Sequence, residues 1–444
     1  MAIHIDTVDV RSASIESFRP LLEPQRRSEL EEAMKALADS LRRRVLWNIN
    51  STAHGGGVVE LLSSLIPYDR GSGIDERWAV IEGPPEFFAL TKRLHNLLHG
   101  ETPDGTEISE RERELYEKTM RENAARLLRM IKPEDVVIVH DPQPAGLVPA
   151  LMEHGACVIW RCHIGVDKPN DVARAGWRFL LPYVKPARAF VFSRRCYAWE
   201  GLDESRLHVI APTIDPFSPK NRDLSGDEVA SILRAARLAP RKPDARLVVQ
   251  VSRWDRLKDP LGVMEAFARF VAPATDAMLM LAGPAASAVD DDPEQPMVLK
   301  SVTEGLAGLP AEIRERVMIA QLPMEDVERN ALMVNAIQRR ADVVVQKSLA
   351  EGFGLTVAEA MWKSRPMVAS RVGGIEDQVE DGVSGLLIDD PRDLHAFGDA
   401  VAALVQDRDR AESFGRAARR RVTDEFIAPR HLVQQARLIL GLLA

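Results

Sequence analysis

The sequence predicts an α/β protein with two doubly wound parallel sheets that face each other across a cleft. Short apolar, β-branched runs alternate with longer amphipathic segments in both halves of the chain, which is the pattern of strands and crossover helices. A proline-rich stretch, Thr213–Ala245, separates the two halves. The chain has 444 residues, which is enough material for two hydrophobic cores.

Composition and charge exclude several classes of function. The formal net charge of −8 leaves no basic surplus to neutralise nucleic-acid phosphates. The chain begins without the basic and apolar regions of a secretory signal, and no apolar run is long enough to span a membrane. Its three cysteines have no C-x-x-C spacing, which predicts neither a disulfide framework nor a zinc site. We therefore expect a cytoplasmic protein with no membrane span and no nucleic-acid partner.

The chain begins with a polar extension, residues 1–43, in which one amphipathic helix is predicted from Glu23 onward. The first core strand is Arg44–Asn50, and the glycine run Gly55–Gly57 follows it just before a helix. Three glycines commonly mean only a flexible turn. Between a core strand and a helix N-terminus they also let the backbone approach a ligand closely. The run is therefore a candidate binding loop, although it lacks the Gly-Lys-Ser/Thr of a P-loop.

Further along the first half, the apolar runs Asp135–His140 and Cys157–Ile164 predict two neighbouring strands. Asp141, Arg161 and His163 lie at or just beyond the ends of these strands. A single buried histidine is usually satisfied within a core. Three such groups at neighbouring strand ends favour a ligand site, because open α/β sheets bind their ligands there.

The second half opens with the predicted strand Leu247–Ser252, and Arg253 and Lys258 follow it. Cations in loops are usually surface charges. After the first strand of a doubly wound domain, however, an arginine and a lysine are suited to hold a diphosphate.

The stretch Glu351–Met361 (EGFGLTVAEAM) reads as a turn between a buried strand and a helix. Gly352 and Gly354 allow close approach to a ligand, and the first helical amides favour an anion. The alternative is a capping box, in which Glu359 binds the backbone at Thr356 for local reasons only. A capping box accounts for that glutamate but not for the paired glycines.

Three motifs of the second half resemble the retaining GT-B glycosyltransferases of family four: SRWDRLKDP, EGFGLTVAEAM with its Glu-x7-Glu spacing, and GGIEDQVEDGVSGLLI. WNINSTAHGGGVVELL, VHDPQP, WRCHI and QKSLAEGFGLTVAEAMWK are similar to the trehalose glycosyltransferring synthases within that group. The resemblance extends from about residue 44 to the C-terminus. One departure is Gly165, which follows WRCHI where we expect an acidic residue, and it leaves the identity of the acceptor open.

The resemblance implies a GT-B fold with two Rossmann-like domains. The implied segments are an N-terminal helical extension (1–43), an acceptor-side domain (44–215), a nucleotide-sugar-binding domain (216–425) and a C-terminal helix that can return to the first domain (426–444).

The resemblance also implies roles for individual residues. Arg253 and Lys258 would bind the donor diphosphate, Glu359 the ribose hydroxyls, and Glu351 the hydroxyls of the transferred glucose. The rest of the donor site would comprise Gly56, Gly57, Gly352, Phe353, Gly354, Leu355, Gly373 and Gly374. The acceptor side would comprise Glu60, Asp141, Gln143, Arg161 and His163. The implied catalytic set is His163, Arg253, Lys258 and Glu351.

The implied reaction is the reversible synthesis of α,α-trehalose from UDP-glucose or ADP-glucose and free glucose, with retention at the donor carbon. No cofactor or metal site is implied, and Mg²⁺ can accompany the donor without being required for its binding. The partners are then a nucleotide sugar and a small sugar acceptor, and a homodimer is compatible with the sequence. Three alternatives stay open: a trehalose phosphorylase, a transferase whose acceptor is a sugar phosphate or glycerate, and a regulator that binds nucleotide sugars without turnover.

Overall fold

The computed structural model describes residues 6–102, 105, 107–242, 244–285 and 294–444. The first five residues of the predicted N-terminal extension therefore lie outside the described part of the chain. Two compact units are present: Met1–Thr213 together with Ala428–Ala444, and Ile214–Ile427.

The first unit is built on a seven-stranded sheet whose order is β1-β3-β2-β4-β5-β6-β7. Its strands are β1 (Asp6–Val8), β2 (Leu46–Asn50), β3 (Glu76–Val80), β4 (Val136–His140), β5 (Cys157–Cys162), β6 (Ala189–Phe192) and β7 (Leu207–Val209). Its helices are α1 (Pro24–Ser40), α2 (Gly57–Gly71), α3 (Pro85–Leu98), α4 (Glu110–Leu127), α5 (Val148–Glu153) and α6 (Asp171–Val184), and the C-terminal helix of the chain joins them.

The second unit is built on a six-stranded sheet, entirely parallel, whose order is β10-β9-β8-β11-β12-β13. Its strands are β8 (Leu247–Val251), β9 (Met278–Pro284), β10 (Val317–Leu322), β11 (Val343–Gln346), β12 (Met367–Ser370) and β13 (Gly385–Ile388). Its helices are α7 (Gly226–Ala235), α8 (Pro260–Ala266), α9 (Glu294–Ala307), α10 (Ala311–Arg314), α11 (Val327–Arg340), α12 (Leu355–Trp362), α13 (Gly374–Gln378), α14 (Leu394–Gln406) and α15 (Arg408–Glu425). The last helix, α16 (Ala428–Leu443), belongs to the first unit.

The two doubly wound sheets confirm the predicted α/β fold. Strand β1 was not predicted, and it is the one antiparallel member of the first sheet, paired with β3. Three residues in a polar extension are too short to show a strand periodicity, so the sequence carried no usable signal. None of the helices in the described ranges is both long and apolar enough to cross a membrane.

Each face of the first sheet carries its own hydrophobic core. One face buries Trp47, Ile49, Val137, Val139 and Trp160 beneath α3, α4 and α6. The other face buries Leu46, Ile138 and Ile159 beneath α1, α2 and α16, where Leu432 and Ile439 are fully buried. Helix α1 of the extension packs against α16 and so covers this second face.

Candidate active site

The second unit places two of the predicted catalytic side chains in direct contact. Lys258 follows β8, and its Nζ donates to Oε2 of Glu351 over 2.6 Å. The hydroxyl of Ser348 donates to the same carboxylate oxygen over 3.3 Å. Both charged side chains are mostly buried, with 16% of Lys258 and 11% of Glu351 exposed. A cation and a carboxylate therefore share one small site beyond the C-terminal ends of β8 and β11.

The turn between β8 and α8 is held in place by residues that sequence reasoning missed. Asp255 accepts from the backbone N–H of Leu257 at 2.8 Å and pairs with Arg253 at 3.0 Å. Asp259 has a left-handed φ of 45°, which aspartate tolerates, and caps α8. The buried Lys347, at the end of an apolar strand, forms an ion pair with Asp259. These contacts fix the turn that carries both candidate diphosphate-binding cations.

Two glycine loops predicted to line the donor are hydrogen-bonded to each other. The N–H of Gly374 donates to the carbonyl of Gly352 over 3.0 Å. The side-chain amide of Gln378 donates to the carbonyl of Phe353 over 2.5 Å. A Cβ at Gly374 would lie only 2.7 Å from Cα of Phe353, so the loops can approach this closely only because glycine is present. The structure thus joins the EGFG loop and the Gly373–Gly374 turn into one backbone surface.

The capping-box interpretation of Glu359 is wrong. Helix α12 begins at Leu355, and its N-cap is Gly354 with a left-handed φ of 86°, which favours glycine. The hydroxyl of Thr356 instead donates to the side-chain carbonyl of Gln346 over 3.4 Å. The carboxylate of Glu359 is buried and lies 3.5 Å from Nζ of Lys220. No local cap therefore accounts for this glutamate.

Lys220 reaches Glu359 because its segment is anchored on α12. The buried Lys363 donates to the side-chain carbonyl of Asn221 over 2.9 Å and to the main-chain carbonyl of Glu359 over 3.0 Å. Burial lowers the pKa of Lys363 to about 7, although the charge of Glu359 opposes the shift. Trp362 also donates through its indole N–H to the carbonyl of Asn221. No local pattern predicts this contact, since Lys220 lies in the proline-rich stretch that separates the halves.

The first unit carries the other predicted residues, beginning with the glycine run. Gly55 and Gly56 have φ values of 69° and 85°, and α2 begins at Gly57 with Gly56 as its N-cap. An added Cβ would meet nothing within 4 Å at either Gly55 or Gly56, so the backbone conformation rather than crowding requires glycine there. Glu60 lies in the first turn of α2.

Asp141 and His163 are brought together at the ends of β4 and β5. The backbone N–H of His163 donates to Oδ1 of Asp141 over 2.7 Å. Asp141 has a φ of 67°, an unusual conformation for a residue other than glycine. Burial raises its pKa to about 7, against the opposing effects of the His163 N–H and the charge of Arg161. The carboxyl group can therefore exchange a proton near neutral pH.

His163 is in turn hydrogen-bonded to His140, which sequence reasoning did not place in the site. Nε2 of His163 lies 3.1 Å from Nδ1 of His140, and Nε2 of His140 lies 2.9 Å from Oδ1 of Asn48. Burial and the nearby charge of Arg161 lower the pKa of both histidines well below its usual range. Both imidazoles are therefore neutral at physiological pH.

The predicted acceptor residue Arg161 points into the fold. Its guanidinium donates to Nε2 of His431 in α16 over 2.7 Å and to the carbonyl of Ile210 over 3.1 Å. It is buried, and burial lowers its pKa to about 9. The acceptor roles of Arg161, Glu60 and Gln143 stay predictions.

The departure at Gly165 has a steric cause. A Cβ at this position would lie 2.1 Å from Cγ of Tyr197, whose ring is fully buried. An acidic side chain cannot occupy this site while Tyr197 keeps its place. Two residues further on, Asp167 forms an ion pair with Arg194, whose guanidinium lies 5.6 Å from the centre of the Tyr197 ring.

Within the ranges that the structure describes, no group of three or more His, Cys, Asp or Glu side chains is arranged to hold a metal ion.

Two family models match the chain. Residues 48–199 match the N-terminal domain of trehalose synthase, and residues 236–421 match glycosyl transferases group 1. The trehalose synthase of Rubrobacter xylanophilus is 38% identical over 420 residues, which cover 94% of this chain and 95% of that protein. The trehalose phosphorylase of Grifola frondosa is more distant, at 26% identity over 88% of this chain and 56% of its own length.

Among solved structures, the UDP-forming α,α-trehalose-phosphate synthase of Burkholderia xenovorans superimposes with a TM-score of 0.70 at 15% identity. The superposition covers 90% of this chain and all of that one, and it shows that the two share the GT-B fold. Three findings indicate the same family and fold: the two matched domains, the relative of nearly equal length and the two doubly wound sheets. The chain belongs to the trehalose synthase family and is a hexosyltransferase with the GT-B fold.

Proposed function

We propose that the protein forms α,α-trehalose from a nucleoside-diphosphate glucose and free glucose, with retention of configuration at the donor carbon. The observation that carries this proposal is the 2.6 Å contact between Lys258 and Glu351 beside the joined glycine loops. This contact offers an ammonium for a diphosphate and a carboxylate for sugar hydroxyls within one site. The identity to a trehalose synthase along nearly the whole chain supports the choice of sugars.

In this reaction the bond between the donor carbon and the diphosphate oxygen breaks, and negative charge develops on the departing diphosphate. The turn that carries Lys258 and Arg253 is held by its own hydrogen bonds before the donor arrives, so its backbone need not reorganise for the two cations to meet that charge. The carboxylate of Glu359 is suited to accept hydrogen bonds from the two ribose hydroxyls. The amides of Gly373 and Gly374 extend the donor surface.

On the acceptor side, Asp141 and His163 offer hydrogen-bond acceptors to a sugar hydroxyl. The new bond forms between this hydroxyl oxygen and the donor carbon, on the face that the diphosphate leaves. An oxygen of the departing diphosphate takes the hydroxyl proton, so the reaction needs no enzymatic nucleophile. Exclusion of water would prevent hydrolysis of the donor.

A panel of donors and acceptors tests the proposal. We expect UDP-glucose or ADP-glucose with free glucose to yield α,α-trehalose and the nucleoside diphosphate, and the proton coupling at the donor carbon to report the α-linkage. Trehalose and a nucleoside diphosphate should run the reaction in reverse. A β-linked product would contradict retention, and binding of a nucleotide sugar without any turnover would indicate a regulator.

The phosphorylase is the second candidate, because a trehalose phosphorylase is 26% identical over 88% of this chain. Breakdown of trehalose that requires inorganic phosphate and no nucleotide would establish it. Turnover only with a sugar phosphate or glycerate would instead assign a different acceptor, a result that the altered segment at Gly165 makes worth testing.

A further inference from the structure

Four buried polar side chains, those of Asp69, Glu76, Asn48 and His140, form a hydrogen-bonded series that ends at the half-buried His163. Oε1 of Glu76 accepts from Nδ2 of Asn48 over 2.7 Å, and Oδ1 of Asn48 lies 2.9 Å from Nε2 of His140. Nδ1 of His140 lies 3.1 Å from Nε2 of His163. At the far end, the carboxyl of Asp69 in α2 lies beside that of Glu76. The proposed reaction uses His163 alone among these groups.

The register of the sheet produces this series. Glu76 lies opposite Leu46, and Asn48 comes two residues after Leu46. In the same way, Asn48 lies opposite Ile138, two residues before His140. His140 lies opposite Arg161, two residues before His163. Steps of two keep the side chains on one face of the sheet, so the series runs diagonally across β3, β2, β4 and the end of β5.

The hydrogen bonds have a defined direction. An oxygen of Glu76 accepts from Asn48, so the other atom of that amide, Oδ1, faces His140 as an acceptor. Nε2 of His140 must then carry the proton. A neutral imidazole has one donor and one acceptor, so Nδ1 of His140 accepts and Nε2 of His163 donates. Nδ1 of His163 is left as the acceptor.

The carboxyl pair holds this direction whichever of its members is protonated. Oδ2 of Asp69 and Oε2 of Glu76 are buried, and neither has a hydrogen-bond donor among the described residues. One proton between the two oxygens satisfies both and leaves Oε1 of Glu76 to accept. Burial accordingly raises the pKa of Glu76 to about 7 and that of Asp69 well above its usual range.

We propose that Glu76 and Asn48 are positioning residues that fix the tautomer of His163, with its proton on Nε2 and an acceptor at Nδ1. An acceptor nitrogen attracts a hydroxyl and repels the oxygens of a phosphate or carboxylate. The hydrogen-bonded series that ends at His163 thus selects a neutral sugar at this point of the site. This inference rests on the proposed function for the contact between His163 and substrate, whereas the tautomer itself does not depend on it.

The tautomer can be measured in the whole protein without substrate. Nitrogen-15 NMR of labelled histidine separates protonated from unprotonated ring nitrogens, and the His163 signal is assigned by its loss in His163→Gln. We expect the proton on Nε2. Asn48→Leu removes the acceptor for His140, so we expect a mixture of His163 tautomers. We also expect kcat/KM to fall at least about tenfold, because a wrong histidine tautomer can cost as much as ~10⁴.

Two further variants separate positioning from folding. In Glu76→Gln, the amide can donate to Asp69 and still accept from Asn48, so the tautomer should be kept. In Glu76→Met, the side-chain amide of Asn48 loses its acceptor and can rotate. We therefore expect a mixture of His163 tautomers, as in Asn48→Leu.

Asn123→Leu is the matched control, because Asn123 is equally buried in the same unit and bonds only to Glu82 and Thr119 in the described part of the chain. It should lose stability with no change in the His163 tautomer. A proton on Nδ1 in the unaltered protein would overturn the proposal, as would an unchanged tautomer in Asn48→Leu and Glu76→Met. Failure to make trehalose would leave the tautomer result standing, so the two proposals can fail separately.

Discussion

At the scale of single residues, Lys258 stabilises charge that appears mainly in the transition state. We expect Lys258→Met to lower kcat by about a hundredfold or more, the usual effect of removing one such group. Stability should also fall, because Glu351 would keep a mostly buried charge without its 2.6 Å partner. Lys300→Met is the control, since its ion pair with Glu304 is exposed. Normal turnover in folded Lys258→Met would contradict the diphosphate role.

Glu359 provides a test on the donor side. Glu359→Gln removes the negative charge that would strengthen hydrogen bonds to ribose hydroxyls, and bonds to charged groups contribute about 1.5–3 kcal/mol. We therefore expect the donor Kd, measured by titration calorimetry, to rise about tenfold to a hundredfold. The ribose role would be wrong if the affinity stayed at the value of the unaltered protein.

Asp141 provides a test of pH dependence. Its pKa of about 7 lies above the value of about 3.9 for an unfolded aspartate. The folded state therefore binds more protons between these values, and the contribution of Asp141 to stability is lost as pH rises through this window. The slope is at most about 1.4 kcal/mol for each pH unit. The unfolding free energy is measured with urea at pH values from 4.5 to 7. We expect the loss of stability that Asp141 causes over this range to be absent in Asp141→Asn. Parallel pH profiles would contradict the raised pKa.

At the scale of elements, the sequence predicted the strand, turn and helix order around each site, because buried parallel strands and glycine turns leave strong local patterns. It did not show which loops touch. The bond between Gly374 and Gly352, the pairing of Lys347 with Asp259, and the hydrogen-bonded series from Glu76 to His163 depend on register and side-chain direction. Such contacts join residues far apart in the sequence, where a local pattern carries no information.

The junction of the two glycine loops can be tested with one methyl group. Gly374→Ala would place Cβ 2.7 Å from Cα of Phe353 and force the loops apart. We expect donor affinity to fall at least about tenfold, since misplacement by about 1 Å can cost a hundredfold in rate. Gly441→Ala is the control, because a Cβ there meets nothing within 4 Å. Its effect should be neutral or slightly stabilising in a helix. Equal donor affinities for the two variants would show that the junction is unimportant.

At the scale of the whole molecule, α16 completes the core of the first unit. Leu432 is fully buried against the sheet face that carries Asn48 and His140. We expect Leu432→Ala to cost about 2–5 kcal/mol of unfolding free energy, as for other buried leucines. Leu261→Ala, at a position that is 38% exposed, should cost much less. Similar calorimetric losses for both variants would show that α16 is not part of this core.

The return of α16 to the first unit has a consequence for the order in which the protein is made. Residues 428–444 are synthesised last, yet the first unit needs them to cover one face of its sheet. Domains usually fold from the N-terminus while translation proceeds. Here the second unit, Ile214–Ile427, is fully synthesised first, and the first unit must wait for release from the ribosome. Until then its apolar face is available to chaperones, and a message that stopped after the codon for Ile427 would yield a complete second unit and a first unit without the helix that covers this face.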